Sequence, residues 1–140
     1  MNLDTVIARL ESECLALKLV GGSANFEQAV AALATFPAAF VLPAKEAGAP
    51  NEWASQVVEQ RVQVDFAVVL AVRDLTDSQG SKAHDALFPV RGPVRDALLN
   101  WTPDGCEEGI SFVSGDLMAF DNGVLWWADT YRTGYMIRSA

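Results

Sequence analysis

The alternation of apolar and polar residues is clearest between Gln60 and Arg73, where it predicts one long β-strand. One face of this strand carries only apolar residues: Val62, Val64, Phe66, Val68, Leu70 and Val72. The other face is polar at Gln63 and Asp65 and then turns apolar over residues 67–71. A strand that is apolar on both faces is covered on both sides. The pattern therefore predicts a central strand.

Apolar residues at helical spacing predict two helices in the first quarter of the chain. The first covers residues 3–16, and Asp4 is the expected cap at its start. The second follows Asn25 and Gln28, which have the form of a capping box. We expect it to end near Thr35, because a residue that precedes a proline is disfavoured in a helix.

A third helix is predicted over residues 81–100, where apolar residues again recur at helical spacing. Pro89 and Pro93 lie inside this range. Each proline removes one helical hydrogen bond and clashes with the preceding turn. We therefore expect a helix that is kinked or divided, with the break at Gly92-Pro93.

The remaining segments predict strands and a loop. Residues 40–42 form a short strand near a sheet edge, because prolines stand on both sides of it. Residues 43–58 mix Pro, Gly, Ala and charged residues, and we expect a mobile loop there. Residues 110–120 and 124–138 are the arms of a hairpin, joined at Asp121-Asn122-Gly123 by a turn of the Asn-Gly type.

This order of elements predicts an α+β fold: a single domain with a mostly antiparallel sheet of about four to five strands and helices packed on it. The length of 140 residues suits one domain. Hydrophobic residues make up 51% of the chain and charged residues 20%, which excludes a disordered protein.

Charge and cysteine content narrow the class of protein further. The net charge is −8, from 10 Lys and Arg against 18 Asp and Glu, and this argues against binding the phosphate backbone of nucleic acids. No apolar run approaches the ~20 residues of a membrane span, and we expect neither a span nor a signal peptide. With only two cysteines, Cys14 and Cys106, we expect reduced thiols in a cytosolic setting.

Groups that could carry chemistry are few. His84 is the single histidine; it lies beside Asp85 and is interpreted as a solvated residue. Cys106 is followed by two acidic residues, which disfavour the thiolate that a nucleophilic cysteine needs. Asp74 and Asp77 form an acidic pair in a turn-rich segment, interpreted as a solvated loop. We predict no catalytic residue, no cofactor and no metal site, and therefore no enzyme.

The aromatic residues of the last third are the more informative feature. Trp126 and Trp127 are adjacent on one predicted strand, so their side chains point to opposite faces. One tryptophan fills the core, and the other is either buried within the chain or part of a subunit interface. Arg132 and Arg138 share the face of Trp126. The candidate subunit or tube interface residues are Trp126, Arg132, Arg138, Glu52 and Trp53.

Several segments, taken in order, resemble one protein family. They are the strand QRVQVDFAVVLAVRD, the helix end VRDALLNWTPDG and the hairpin GISFVSGDLMAFDNGVLWWADTYRTGY. The helix end contributes Ala97, Leu98, Leu99, Trp101 and Pro103, and the last strand contributes Trp126, Trp127, Asp129 and Tyr131. The chain resembles the small tail terminator proteins of long-tailed bacteriophages and prophages. Asn100 departs from the pattern, since a glycine is common there.

The resemblance implies a structural role in virion assembly without catalysis. Such proteins form a ring, a hexamer in related tails, which caps the tail tube, stops its polymerisation and prepares the tail for joining to the head. The implied partners are further copies, the tail tube protein and a head-tail connector or neck protein, with no membrane and no sequence-specific nucleic acid. The implied location is the virion tail, reached through the host cytoplasm. The predicted loop at residues 43–58 is a plausible docking segment.

Two other interpretations stay open at this point. The chain could be a head completion or neck protein of the same virion, which the sequence separates poorly from a terminator. A small α+β ligand-binding domain or enzyme using Asp129, Tyr131 and Arg132 is the minor alternative, and it requires a pocket on which these polar groups converge.

Overall fold

The computed structural model describes residues 1–51, 57–73 and 81–139, without the side chains of residues 81–84. Within these ranges, three helices and five strands follow one another as α1 (Asp4–Glu13), β1 (Leu19–Gly21), α2 (Ser23–Ala32), β2 (Ala38–Gly48), β3 (Glu59–Arg73), α3 (Ser81–Leu98), β4 (Ser111–Asp121) and β5 (Val124–Arg138). The strands form one sheet in the order β1-β2-β3-β5-β4. Only β1 and β2 are parallel, so the predicted α+β fold with a mostly antiparallel sheet is confirmed.

The predicted central strand is confirmed as β3. It pairs with β5 along its whole length and with β2 over most of it. Its side chains are buried on both faces from Val68 to Val72. This continuous burial is what the doubly apolar second half of the strand predicts.

The helices cover the two faces of the sheet unequally. On one side, here called the helix-pair face, residues such as Leu10 of α1 and Val94 of α3 pack against Phe66 and Leu70 of β3. On the other side, here called the α2 face, α2 packs through Ala29 in a smaller cluster of buried residues. That cluster also contains Ala38, Phe40, Val69 and Ala71.

The first two helices are shorter than predicted, and their caps differ. The Asp4 side chain does not cap α1; instead the Asp4 N–H donates to Asn2 Oδ1 at 2.9 Å. The helix ends at Glu13, because the chain then turns through a Leu17 N–H to Cys14 C=O bond toward β1. In α2 the side chain of Asn25 does act at the N-terminus, but it accepts from the N–H of Gly22 at 3.1 Å.

Helix α2 ends at Ala32 rather than near Thr35. Leu33 is already extended, with ψ of 130°. The chain therefore leaves the helix several residues before Pro37, which follows Phe36 through a cis peptide bond.

Of the kinked or divided helix expected at Gly92-Pro93, the division is wrong, because one helix runs from Ser81 to Leu98 with both prolines inside; the kink stays a prediction. Pro89, Pro93 and Asp85 are all exposed. Solvent can therefore hydrate the carbonyl groups that lose their helical partners on this side. The buried side, with Leu87, Val90 and Val94 among its residues, stays packed on the sheet.

Strand β2 corrects two predictions. It has 11 residues instead of three, so residues 43–48 are a strand and not part of a loop. The strand ladder to β3 shifts register between Pro43 and Lys45, an irregularity at which a proline is tolerated. The predicted position near a sheet edge is right for Leu42–Gly48, which have no outer strand among the described residues, whereas the unpredicted strand β1 covers the start of β2 at Ala38–Phe40.

The predicted hairpin is confirmed within one residue at each end. Asn122 and Gly123 both have positive φ, at 52° and 77°. Two consecutive positive φ angles are typical of the type I′ turn, whose twist matches that of the paired strands. This turn fixes which residues of β4 and β5 face each other.

Candidate functional site

The most strongly bound polar side chain of the described residues is Asp129, in the middle of β5. It is fully buried on the helix-pair face. Its two carboxylate oxygens accept hydrogen bonds from Arg91 Nε at 2.8 Å and Arg91 Nη2 at 2.9 Å. One of them also accepts from Trp127 Nε1 at 2.9 Å. A carboxylate with three donors is occupied structurally and is not free to act as a general base.

Arginine side chains of α3 stack on the aromatic rings of the hairpin. The guanidinium of Arg91 lies 5.0 Å from the ring centre of Trp127 and 5.8 Å from that of Phe112. The guanidinium of Arg95, one turn later, lies 4.4 Å from the ring centre of Phe112. These cation–π contacts and the ion pair with Asp129 attach α3 to β4 and β5.

Tyr131 is fully buried, with its hydroxyl near the charged groups of Asp129, Arg91 and Arg95. Its ring stacks on Phe66 at 5.8 Å and meets Phe112 edge-on at 5.9 Å. Burial and the negative charge of Asp129 raise the pKa of Tyr131 far above its ordinary range. The hydroxyl has no hydrogen-bond partner of good geometry among the described residues. Tyr131 is therefore a neutral core residue.

Arg132 lies on the opposite side of the sheet from Asp129 and Tyr131. On the α2 face its guanidinium donates to Asp65 of β3 at 2.8 Å and 3.1 Å. The bond from Arg132 lowers the pKa of the Asp65 carboxyl. The residues of the ligand-binding interpretation, Asp129, Tyr131 and Arg132, thus do not converge on one pocket, and the structure does not support that interpretation.

The two adjacent tryptophans do point to opposite faces, and both are half-buried. Trp127 lies on the helix-pair face beside Arg91. Trp126 lies on the α2 face, with ring centres 6.0 Å from Phe26 and 6.4 Å from Phe40. Trp126 therefore packs partly under α2 within the same chain.

The other interface candidates are spread along the α2 face or fall outside the description. Arg132 is six residues from Trp126 on β5, about 20 Å along the strand. Arg138 is the exposed last residue of β5. Glu52 and Trp53 lie outside the described residues. The described candidates do not form one compact cluster with Trp126.

Other groups that could carry chemistry are accounted for as far as the structure describes them. Within residues 1–51, 57–73 and 81–139, no group of three or more His, Cys, Asp or Glu could hold a metal ion. Cys14 is buried, and this burial raises the pKa of its thiol. The backbone of His84 belongs to α3, whereas Asp74 and Asp77 lie outside the described residues.

Two shallow depressions lie on the surface near the second half of β2. One, of about 360 Å³, is lined by Ala47, Gly48, Ala49, Arg61, Gln63 and Glu108. Its charged groups form an ion pair between Arg61 and Glu108. The other, of about 320 Å³, lies between the N-terminus and residues 43–46 of β2. Glu46 there is near the N-terminal amine and accepts from the Tyr135 hydroxyl.

The sheet has a long free edge on each side. Strand β4 is the last strand on one side, and its 11 residues have no outer neighbour in the described chain. On the other side, β1 pairs only with Ala38–Phe40, so Leu42–Gly48 of β2 has no outer strand partner among the described residues. Large apolar side chains on β4 are also exposed, including Leu117 (57%) and Met118 (50%).

The sequence interpretation missed these edges and the Arg91–Asp129 pair. The edges depend on which strands pair, and β1 is too short for an alternation pattern. Arg91 and Asp129 are 38 residues apart in the chain, so no local pattern joins them. A usable signal for Arg91 was its spacing of four from Arg95, which places both cations on one side of α3.

No helix of the described residues is long and apolar enough to cross a membrane. The comparison with curated proteins gives no match for this chain. The family model for the phage tail terminator protein matches residues 1–140, the whole chain. This family consists of structural phage tail proteins and is not a known enzyme family, and membership implies contacts with other virion proteins. The chain belongs to the phage tail terminator protein family and has a structural role in the virion tail.

Proposed function

We propose that the chain ends the growth of the phage tail tube. Copies of it close into a ring, six in number by the family expectation, on the last ring of tube subunits. The ring occupies the surface that the next tube subunits need, so polymerisation stops. Its outer side then receives the head-tail connector or a neck protein. Assembly takes place in the host cytoplasm, and the chain performs no reaction.

The observation that carries this proposal is the match of the family to the whole chain. The structure supports it because the polar groups that could carry chemistry are hydrogen-bonded within the chain. Asp129 accepts from Arg91 and Trp127, and Arg132 donates to Asp65. In contrast, both edges of the sheet present free backbone groups and can contact other subunits. These features favour action through surfaces.

The docking segment expected at residues 43–58 is not a loop over its whole length. Its first part, residues 43–48, is an ordered strand that pairs with β3. A docking surface there is a strand edge and not a loop that becomes ordered on binding. Residues 49–51, 57 and 58 belong to no strand or helix, and residues 52–56 of the expected segment lie outside the described residues.

Gene deletion separates this function from that of a neck protein. A phage that lacks this gene should produce tail tubes of uncontrolled length, measured by negative-stain electron microscopy of the lysate. A wild-type copy supplied in trans should restore the normal length. Tails of normal length that fail to join heads would instead identify a neck or head completion protein.

A further inference from the structure

The two free edges of the sheet run in directions that allow them to pair with each other. Strand β2 is antiparallel to β3, β3 to β5, and β5 to β4. Three reversals make β4 antiparallel to β2. If a second copy lies beside the first in the same orientation, its β2 edge therefore meets β4 in an antiparallel sense. Antiparallel strands can form a regular ladder of hydrogen bonds.

One register of this contact pairs opposite charges. Placing Asp116 of β4 opposite Lys45 of the second copy aligns Val113–Ala119 with Leu42–Gly48 over seven residues. Asp116 and Lys45 are both exposed, and neither forms a salt bridge within the described residues, although the charge of Lys45 helps to lower the pKa of its cross-strand neighbour Asp65. Opposite charges at directly paired positions of a sheet stabilise the pairing.

The same register also matches the faces of the two strands. Asp116 pairs with Ala128 on the α2 face of its sheet, and Lys45 pairs with Asp65 on the α2 face of its own. Ser114 and Ala47 lie on the α2 face as well, through their partners Thr130 and Gln63. A continuous sheet requires paired residues to lie on the same face.

One irregularity of each strand coincides in this register, whereas a second shift of β4, between Phe112 and Ser114, lies at the end of the aligned segment and has no counterpart in β2. The register of β4 shifts between Leu117 and Ala119, and that of β2 shifts between Pro43 and Lys45. Asp116 and Ala119 on the α2 face are thus three positions apart, as are Leu42 and Lys45. A bulge in one strand alone would move the following side chains to the wrong face. Matched bulges keep the faces aligned.

Apolar contacts accompany the charges. In this register Leu117 and Met118, whose side chains are exposed, are paired with Ala44 and Pro43 of the second copy. Isolated edge strands are commonly protected by lysine or proline. Strand β4 contains neither residue over its 11 positions, whereas β2 contains both. The β4 edge is therefore suited to a covering strand, and β2 of another copy supplies complementary side chains.

We propose that neighbouring copies join head to tail through Val113–Ala119 of one copy and Leu42–Gly48 of the next, so that one sheet continues around the ring. This inference rests on the proposed function, because it names the contact that builds the ring. The contact uses different surfaces on the two partners, as a ring of more than two subunits requires.

Cysteine cross-linking tests the register directly. In a Cys106→Ser background, Ala47→Cys and Ser114→Cys place thiols at paired positions of neighbouring copies. Within one copy, two strands intervene, so these positions are at least about 14 Å apart and cannot form a disulfide. Each protein is mixed with tail tubes, oxidised gently and examined on a non-reducing gel. The matched control is Ala47→Cys with Thr130→Cys, which moves one thiol a strand further from the edge.

We expect a mixture of the two single variants to give cross-linked dimers and nothing larger. The double variant should give a ladder up to the full ring, and each single variant alone should stay uncross-linked. Rings on the tubes with no more cross-linking than the Thr130 control would overturn this contact and leave the proposed function intact. Dimers formed by Ser114→Cys alone would show β4 pairing with β4 and also overturn it. Tubes without rings would contradict the proposed function and this inference together.

A charge swap provides a second test with a different readout. Lys45→Glu and Asp116→Lys each place like charges opposite each other and should weaken association about three- to fivefold in native mass measurements. The double variant restores opposite charges and should recover the parent value. Losses that simply multiply in the double variant would overturn the Lys45–Asp116 pairing. Thermal melting confirms that each variant is folded.

Discussion

Replacing Asp129 by Asn tests how the hairpin and α3 are held together. The side chain keeps its shape but loses its charge. In the parent, the carboxylate is fully buried, and it accepts two bonds from Arg91 and one from Trp127. In the variant, an amide NH₂ group faces the guanidinium of Arg91. Arg91 keeps its charge but has no counter-ion, and its side chain is only 17% exposed. One partner of a largely buried ion pair is thus left alone.

The expected cost is a large part of the stability of the domain. Removing one partner of a buried ion pair costs about 3–5 kcal/mol. Because Arg91 is partly exposed and Asn retains one oxygen, we expect a value at the lower end of this range, ~3 kcal/mol. A domain has a total stability of ~5–15 kcal/mol. For a chain of this length, the loss corresponds to a melting temperature lower by ~10 °C.

Thermal and urea unfolding followed by circular dichroism measure this effect. Asp116→Asn is the matched control, because Asp116 is exposed and should change stability by less than ~0.5 kcal/mol. Arg91→Met and the double variant complete a double-mutant cycle, in which removing both charges should cost less than the sum of the single changes. If Asp129→Asn melts within ~2 °C of the parent, the carboxylate does not hold α3 in place and the reasoning is wrong.

Three further predictions concern the core and its ionisable groups. Val68→Asp should prevent folding, because an unpaired charge in the fully buried centre of β3 costs several kcal/mol, about as much as the total stability of the domain. The control variant Gln63→Asp changes an exposed position of the same strand and should fold. Circular dichroism measures whether each variant is folded. Arg132 lowers the pKa of Asp65, so the Asp65 carboxylate stabilises the fold above its unfolded pKa of about 3.9, and this contribution is lost as the pH falls through the folded pKa. The free energy of unfolding of Asp65→Asn, measured in urea, should therefore change less between pH 7 and pH 3 than that of the parent. The pKa of Tyr131 is raised, so the contribution of this residue to stability is present below the unfolded pKa of about 10 and is lost at higher pH. Tyr131→Phe should therefore resist unfolding at pH 11 better than the parent. At pH 7 its free energy of unfolding should differ from that of the parent by less than about 1 kcal/mol, because the hydroxyl has no hydrogen-bond partner to lose among the described residues.

The parts of the fold that sequence predicts are those with strong local patterns. Strand β3 alternates over its length and is apolar on both faces in its second half. The hairpin carries Asn122-Gly123, which both adopt the positive φ angles that the turn requires. In these segments the local preference and the tertiary environment agree, so the boundaries are right within a residue.

Segments that depend on tertiary pairing were not predictable in the same way. Residues 43–48 contain Pro, Ala, Lys, Glu and Gly, without an alternating pattern. They become a strand because residues 62–66, in the first half of β3, supply hydrogen-bonding partners. Strand β1 has only three residues and exists because the start of β2 lies beside it. The unbroken α3 likewise depends on the sheet that its apolar side packs against.

The candidate site was predicted only in outline. Alternation places Asp129 and Tyr131 on one face of β5 and Arg132 on the other, and the structure agrees. The partner Arg91 comes from a different element, so its contact with Asp129 required the fold. Identifying the two complementary edges also required the fold, because a strand is an edge strand only when no other strand pairs with its outer side.

The central claim is that this chain stops tube growth, and a polymerisation assay tests it most directly. The purified chain is added at increasing ratios to tail tube protein that is assembling, and tube lengths are measured by electron microscopy. In the control, an equal amount of the unfolded Val68→Asp variant replaces the purified chain. The account predicts that elongation stops, that mean length falls as the ratio rises, and that one end of each tube carries a ring. Tubes that elongate equally with and without the folded chain would contradict it.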